Sequence, residues 1–360
     1  MRKFFAFALA AAAAIGVQAQ DAKTLYNQAK KLDDEFNKSK PTQMSPNKEV
    51  TPDVALGLLN ALEMYDQVLV LDQQPNEKGQ VKPKFTKKIE DSMKKHSQDN
   101  DFNVAASVLF NADKKYPEAY KAFMISGQTS QKLQTVPDTV YAIDFLNAGN
   151  CAYGKDFKAA AAAYSAARKA NINDVNAYIY DIGSRQNLAQ QDAEYAKQAP
   201  ADIHEIAKEG LQRFGAGQDF LLSNYMQYFI DNDKIDEAIK MLEQLQAQEP
   251  ENANIYRLRG IICNANNKYA EAIPAFLTMA KYTDRFDYLY KAADDLNRIG
   301  KLMMGNLGNK VTPEQKAQVM EIFNSANEIA NKAKTAEGAD ASAEDLIDQI
   351  QYSIENAQKL

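Results

Sequence analysis

The chain has no tryptophan, two cysteines and two histidines among its 360 residues. Two cysteines exclude a disulfide-stapled scaffold and a four-cysteine zinc site. Two histidines leave too little material for a histidine-built metal centre. Glycine (15) and proline (11) are also scarce. They make up about 4% and 3% of the chain, against usual levels of roughly 7% and 5%, which disfavours turn-dense all-β folds and favours helices. What is present is ordinary for a soluble globular protein: 45% hydrophobic and 25% charged residues, a balance that excludes wholesale disorder.

Met1 to Ala19 reads as a secretory signal peptide. Arg2 and Lys3 form the charged start, Phe4 to Ile15 an apolar run, and Val17-Gln18-Ala19 the small-residue cleavage pattern before Gln20. A membrane helix needs about 20 apolar residues, so this run is too short to be one. The first cysteine is Cys151, which excludes a lipid-anchored signal, and no later run suggests a membrane span. The expectation is an exported chain, periplasmic or secreted, cleaved near Ala19.

Cleavage leaves 40 basic against 48 acidic residues, a balance of −8, which argues against nucleic acid as the main partner. The charge is uneven. Glu77 to His96 holds seven lysines against three acids, whereas Thr335 to Leu360 holds six acids against Lys359 alone. Lys87, Lys88, Lys94 and Lys95 are therefore a candidate basic patch for an acidic partner; the plainer alternative is a solvated face.

Internal repetition organises the chain. Ile235, Ala238 and Leu242 recur at one fixed interval as Tyr269, Ala272 and Phe276. Pro250 ends the first of these segments, and Tyr256 and Gly260 precede the second hairpin turn. Phe102, Ala105, Leu109, Ala112 and Pro117 keep the same internal spacing, as do Phe157, Ala160, Tyr164 and Ala167. Asn147-Ala148-Gly149-Asn150 supplies a matching first helix, with a slightly shorter turn. Small residues at Gly260 and Ala272 suit a close helix crossing, with Tyr256, Tyr269 and Phe276 filling the space around it. Ala207, Leu211 and Phe214 look like a further second helix. Its first helix, Val175 to Asn187 with Gly183, lies farther back than that spacing allows, which places an insertion at Leu188 to Ala199.

These residues resemble the tetratricopeptide repeat, whose period of about 34 residues is the interval from Ile235 to Tyr269. By motif the resemblance covers Thr86 to Phe286. It implies an all-α, right-handed solenoid of stacked antiparallel helical hairpins, in which each repeat buries its face against its neighbours. Leu25 to Phe36 and Val54 to Leu71 read as amphipathic helices around a proline-bearing loop, and Gln128 to Asp138 as a polar linker. Thr312-Pro313-Glu314-Gln315 spells a helix start. Ser342 opens a final helix to about Gln358, expected to cap the solenoid. The domain reading is 1–19 signal peptide, 20–85 N-terminal hairpin with a long loop, 86–300 repeat solenoid and 301–360 capping helices.

Chemical motifs are near misses. Gly149 to Asp156 nearly spells a phosphate loop but lacks the final Ser or Thr and a preceding strand. His204-Glu205 begins a zinc-protease pattern, but Lys208 stands where the second histidine belongs. Asp99-Asn100-Asp101 and Asp231-Asn232-Asp233 resemble calcium-loop starts without the later Gly and Glu, and such residues suit turns. Cys151 and Cys263 fall in hairpins too far apart to bridge, so buried free thiols are expected. No cofactor, metal or catalytic residue is assigned, and no enzyme activity is expected.

In tetratricopeptide repeats the first helices line a concave groove that takes peptide partners. The resemblance therefore implies partner-binding positions at Asn150, Tyr153, Ser184, Gln227, Arg257, Asn264 and Lys291, with Ile261 beside them. Amides, cations and aromatics of this kind suit peptide backbone and carboxylate capture. Of the family's carboxylate clamp only Asn150 fits. The expected function is a non-catalytic scaffold or adaptor of the cell envelope, binding a protein or peptide. The alternative is a glycan or small-molecule module on the same fold, disfavoured by the absence of tryptophan.

Overall fold

A computed structural model describes residues 21–41, 45–75, 79–112, 115–134, 136–307 and 310–360. The expected signal peptide lies outside the described residues. Among the described residues the structure is all-α, with sixteen helices and no strand. The chain divides into two compact units between Lys197 and Gln198, inside the segment expected as an insertion. The expected boundary at 85/86 coincides with a helix start, whereas that at 300/301 falls within a helix.

The first unit contains α1 (Ala22–Ser39), α2 (Pro52–Asp72), α3 (Thr86–Gln98), α4 (Asp101–Asn111), α5 (Tyr116–Leu133), α6 (Asp138–Ala152), α7 (Phe157–Lys169) and α8 (Val175–Gln191), with a 3-10 turn at Tyr195–Lys197. Helices α1 and α2 pair, and each of α4 to α7 packs on its successor. Phe36, Leu58, Ile89, Phe102, Leu109 and Phe123 share one apolar core. The second unit contains α9 (Ala199–Phe214), α10 (Asp219–Asp231), α11 (Ile235–Gln248), α12 (Ala253–Ala265), α13 (Tyr269–Lys281), α14 (Phe286–Gly305), α15 (Pro313–Lys334) and α16 (Ser342–Gln358). Its principal pairs are α9/α10, α12/α13 and α14/α15, and α16 packs on α15 and α14.

Local chemistry sets the helix ends. Asp21, Thr51, Asp156, Asp174 and Thr312 accept backbone N–H groups at their helix starts, and Thr312 completes a capping box with Gln315. The final helix starts at Ser342, and Asp340 anchors that start by accepting the Ser342 N–H at 2.9 Å. The hairpin turns repeat as faithfully as the sequence. Asp233 and Asn267, one repeat interval apart, both have φ of 59°. Each turn closes with a 2.8 Å bond, from Lys234 N–H to the Phe229 carbonyl and from Lys268 N–H to the Cys263 carbonyl. This is the left-handed helix-end geometry that Asn and Asp tolerate.

The crossings follow a small-against-aromatic rule. A methyl placed on Gly260 would lie 2.5 Å from the Phe276 ring. Gly149 meets Tyr164 the same way, Gly127 meets Phe145, and Gly300 meets Phe323. Helix α6 thus serves twice, filling over α5 through Phe145 and receiving α7 at Gly149. The last of these pairs extends the hairpin pattern past Gly300.

Two expectations are corrected. Gln128 to Leu133 is not linker but the end of α5, because Thr129 and Ser130 are buried there and the Ser130 hydroxyl meets that of Ser97 at 3.3 Å. Helix α2 is long and apolar enough to cross a membrane by length and composition, contrary to the expectation that no later run approaches that length, but this alone does not make it a span. Its Ala55, Leu58, Leu62, Tyr65 and Val68 are buried within the first unit, as in the core helix of a folded domain.

Candidate partner-binding surfaces

In the first unit, Asn150 and Tyr153 share one surface. Asn150 is exposed on α6 and accepts a 2.9 Å hydrogen bond from the hydroxyl of the fully buried Tyr164. Tyr153 and Tyr180 are each 38% exposed, with ring centroids 5.1 Å apart, and Tyr164 lies 6.4 Å from one and 5.9 Å from the other. Phe157 meets Tyr153 edge-on at 6.0 Å. Two half-open tyrosines thus stand on a buried third, beside a carboxamide. Ser184 does not join them: it is buried and gives its hydroxyl to the Tyr180 carbonyl at 2.7 Å, within its own helix. Tyr180, not singled out from the sequence, takes the surface position. Its exposed slot on α8 and its spacing from Gly183 were the available signal.

In the second unit, Gln227 is exposed and bonds Asp231 one turn on, at 2.6 Å. Asn264 is half-buried, and the exposed Lys291 reaches the buried Asp295 one turn on. Arg257 is engaged inside the unit. It pairs with Asp219 and bonds Asn254, while the Tyr288 hydroxyl donates to the other Asp219 oxygen at 2.7 Å. Asn254 in turn donates to the Ala216 carbonyl. Burial pushes the Tyr288 phenol up to about 12, and the Arg285 guanidinium lies 4.0 Å over its ring. The network ties the first helices α10, α12 and α14 together, so Arg257 is a brace between repeats as well as a surface group.

The most elaborate polar cluster involves neither set. On the first unit, His96 of α3 is 1% exposed. Its Nε2 lies 2.8 Å from Asp33 of α1 and its Nδ1 2.7 Å from Asp101 of α4. With a carboxylate at each nitrogen both must donate, so the ring is an imidazolium. Tyr65 and Ser92 donate to Asp33, at 2.9 and 2.7 Å, and Lys40 donates to Asp101 and Asp99. Burial disfavours the charged ring, but the hydrogen bonds to Asp101 and Asp33 outweigh it and carry its pKa up to about 8. Burial likewise opposes the Asp33 charge, and the His96, Ser92 and Tyr65 bonds hold that carboxyl below its ordinary range. The signal was legible: Asp33 lies on the stripe of Leu25, Ala29 and Phe36, and His96 on that of Ile89 and Met93, where a charge needs a buried partner.

Among the described residues, Lys87, Lys88, Lys94 and Lys95 are all exposed on α3. The near-miss motifs have structural explanations. Gly149 lies inside α6 under Tyr164, and Gly154, with φ of 77°, closes the α6–α7 turn. His204 stacks on Tyr225 at 4.6 Å and lies tilted against Tyr228 at 4.4 Å, and burial holds its pKa below the ordinary value. Asp101 belongs to the His96 cluster and Asp233 to a helix-end turn. Among the described residues no group of three or more His, Cys, Asp or Glu is placed to hold a metal ion. Cys151 and Cys263 are free and buried, and burial pushes both thiols up to about 11.

No protein-family model and no curated protein matches the sequence. Solved structures do match. The chain is similar to tetratricopeptide-repeat proteins. A TPR repeats protein from Bacteroides fragilis is 16% identical, covers 70% of this chain and 97% of its own, and has a TM-score of 0.39. The MamA protein is 16% identical over 56% of this chain and 97% of its own, at 0.35. The yeast Sti1 TPR2AB domain, solved as a complex with pHSP90, is 13% identical over 90% of this chain and 99% of its own, at 0.25. The hairpin architecture stands on the chain's own crossings and turns, not on these low-scoring likenesses.

Proposed function

We propose that the chain is a non-catalytic scaffold or adaptor of the cell envelope that binds a partner protein or peptide. One observation carries this reading: the surface of Asn150, Tyr153 and Tyr180, set on the buried Tyr164. Tyrosines offer large contact area at small entropic cost and are enriched in binding hot spots. The carboxamide beside them bonds peptide backbone in the manner of extended-segment recognition. Because Tyr164 is held by its hydrogen bond and by the Gly149 crossing, the platform is rigid before a partner arrives, which lowers the entropic cost of binding. Residues 1–19 have the composition of an export signal, which supports an envelope location.

The test is crosslinked capture of partners on the tagged chain from its own envelope fraction, compared with an Asn150→Ala, Tyr153→Ala, Tyr180→Ala triple variant. A stoichiometric partner whose affinity for the variant falls at least about tenfold, with helical content unchanged, supports the surface. A partner bound equally well by both moves the site elsewhere. No protein partner, together with a thermal shift by a glycan or other small ligand that the variant loses, replaces protein by small-molecule binding. N-terminal sequencing of the exported chain should read from Gln20; an intact Met1 in the envelope fraction would overturn the cleavage.

A further inference from the structure

Helix α3 has a thin apolar footing. Its buried residues are Ile89, Met93, His96 and Ser97, so only two of them are apolar. It is fastened at its ends instead. At the start, Asp72 accepts the N–H groups of Lys84, Phe85 and Thr86, each at 2.8 Å. In the last turn, His96 is held between Asp33 and Asp101. Buried charge is a costly way to hold a helix. Here it fixes in place a helix whose outer face carries Lys87, Lys88, Lys94 and Lys95.

Those lysines are ordered by spacing. Lys87 and Lys94 are one heptad apart, as are Lys88 and Lys95, or about 10.5 Å along the axis. Among the described residues Lys87, Lys94 and Lys95 form no hydrogen bond or ion pair, and Lys88 lies 6.0 Å over the Tyr26 ring. A complementary face exists on the same chain. Helix α16 buries Leu346, Ile347 and Ile350 and exposes Asp345, Asp348, Tyr352 and Glu355. Asp348 and Glu355 are again one heptad apart, as are Asp345 and Tyr352, and Tyr352 is 65% exposed. The α3 face, four lysines around the exposed Asp91, is thus net positive, and the α16 face is net negative, with Asp348 and Glu355 at the lysines' own heptad interval and an aromatic ring among the acids to receive a lysine.

We propose that the lysine face of α3 docks on the acidic face of α16 of a second copy of this chain. Each copy carries both faces, so the pairing is self-complementary and generates a dimer, a ring or a chain of copies. The attraction is between exposed charges and is strongly screened by salt. The surface is separate from the tyrosines of the first unit, so either proposal can fail without the other.

The test is sedimentation velocity of the full chain over a concentration series, with two charge-reversed variants. One carries Lys87→Glu, Lys88→Glu and Lys94→Glu, leaving Lys95 untouched beside His96. The other carries Asp348→Lys and Glu355→Lys. The chain should self-associate in low salt and do so at least about tenfold more weakly in high salt. Each variant alone, with helical content unchanged, should stay monomeric, and an equimolar mixture of the two should associate again. That rescue separates pairing from misfolding. A chain monomeric at every concentration in low salt overturns the proposal, as does association indifferent to both variants. Binding of the monomeric chain to anionic phospholipid vesicles, lost in the lysine variant, would assign the α3 face to a lipid surface instead.

Discussion

Phe323 lays its ring over Gly300, where a methyl would fall 2.6 Å from the ring carbon Cε1. Gly260 and Phe276 stand in the same relation at 2.5 Å, although the first pair is more widely separated along the chain than the second. The crossing keeps its geometry while the turn length changes. Helices α14 and α15 therefore form a hairpin of the same kind as α12 and α13, rather than a cap of a different design.

Gly300→Ala should destabilise the second unit by about 1–3 kcal/mol, because the added methyl must displace a close-packed ring. Gly305→Ala, at the end of the same helix, has nothing within 4 Å and should be neutral or stabilising by up to about 1 kcal/mol. Urea unfolding of both variants measures the difference. Equal midpoints would remove the crossing from the account of this hairpin.

The His96 cluster should make the first unit pH-sensitive. The folded state holds the ring's pKa at about 8, above the ordinary 6.5. A group raised on folding binds its proton more tightly when folded, so its stabilisation is complete below about 6.5 and is lost as pH rises through 8. The shift corresponds to about 2 kcal/mol. His96→Gln should lower stability at pH 6 and flatten the slope between about pH 6.5 and 8. With two histidines in the chain, proton NMR resolves both rings; His96 should titrate above the ordinary value and His204 below it. A His96 midpoint at or below 6.5 would contradict the double carboxylate contact.

Asp72 closes α2 and opens α3 in one residue. It accepts three backbone N–H groups and the Thr86 hydroxyl. Burial disfavours its charge, but those bonds prevail and hold its carboxyl below the ordinary range. Its contribution is thus present at neutral pH and fades as pH falls through that lowered value. Asp72→Ala should cost about 1–2 kcal/mol at neutral pH, with hydrogen exchange accelerated first from Lys84 to Glu90. Unchanged exchange there would show that α3 is held without this cap.

Cys151 and Cys263 should resist thiol reagents in the native state, since both are buried and only the thiolate reacts. Two equivalents should react after unfolding in denaturant. Reaction of either in the native state, at the rate of a small free thiol, would contradict its burial.

Much of the architecture is legible in the sequence because helix packing repeats itself. Thr312 to Gln315 announces a helix start through cap chemistry that needs no tertiary partner. The recurrence from Ile235 to Phe276 specifies turns as well as crossings, down to the matching left-handed Asp233 and Asn267. Gly300 and Phe323 are harder to find, because a longer turn carries them out of that register. The run from Gln128 to Leu133 resembles a linker because its polarity is visible in the sequence and its burial is not: Ser130 meets Ser97 only once α3 and α5 are packed.

The site divides along the same line. Asn150 and the α3 lysines are exposed because they occupy helix faces that hairpin packing leaves free, and a period of about 3.6 residues reveals such faces directly; Tyr153 stands just past the end of α6, at its cap. Whether such a residue is available is another matter. Ser184 is sealed against its own helix, Arg257 braces three helices, and Tyr180 takes the open place. The Asp33–His96–Asp101 chain joins α1, α3 and α4, with the whole of α2 lying between Asp33 and His96 in sequence. Periodicity is a local property and determines which residues turn inward. Which buried charges meet depends on the distance between helices that the chain brings together only on folding, and that is decided by the tertiary structure alone.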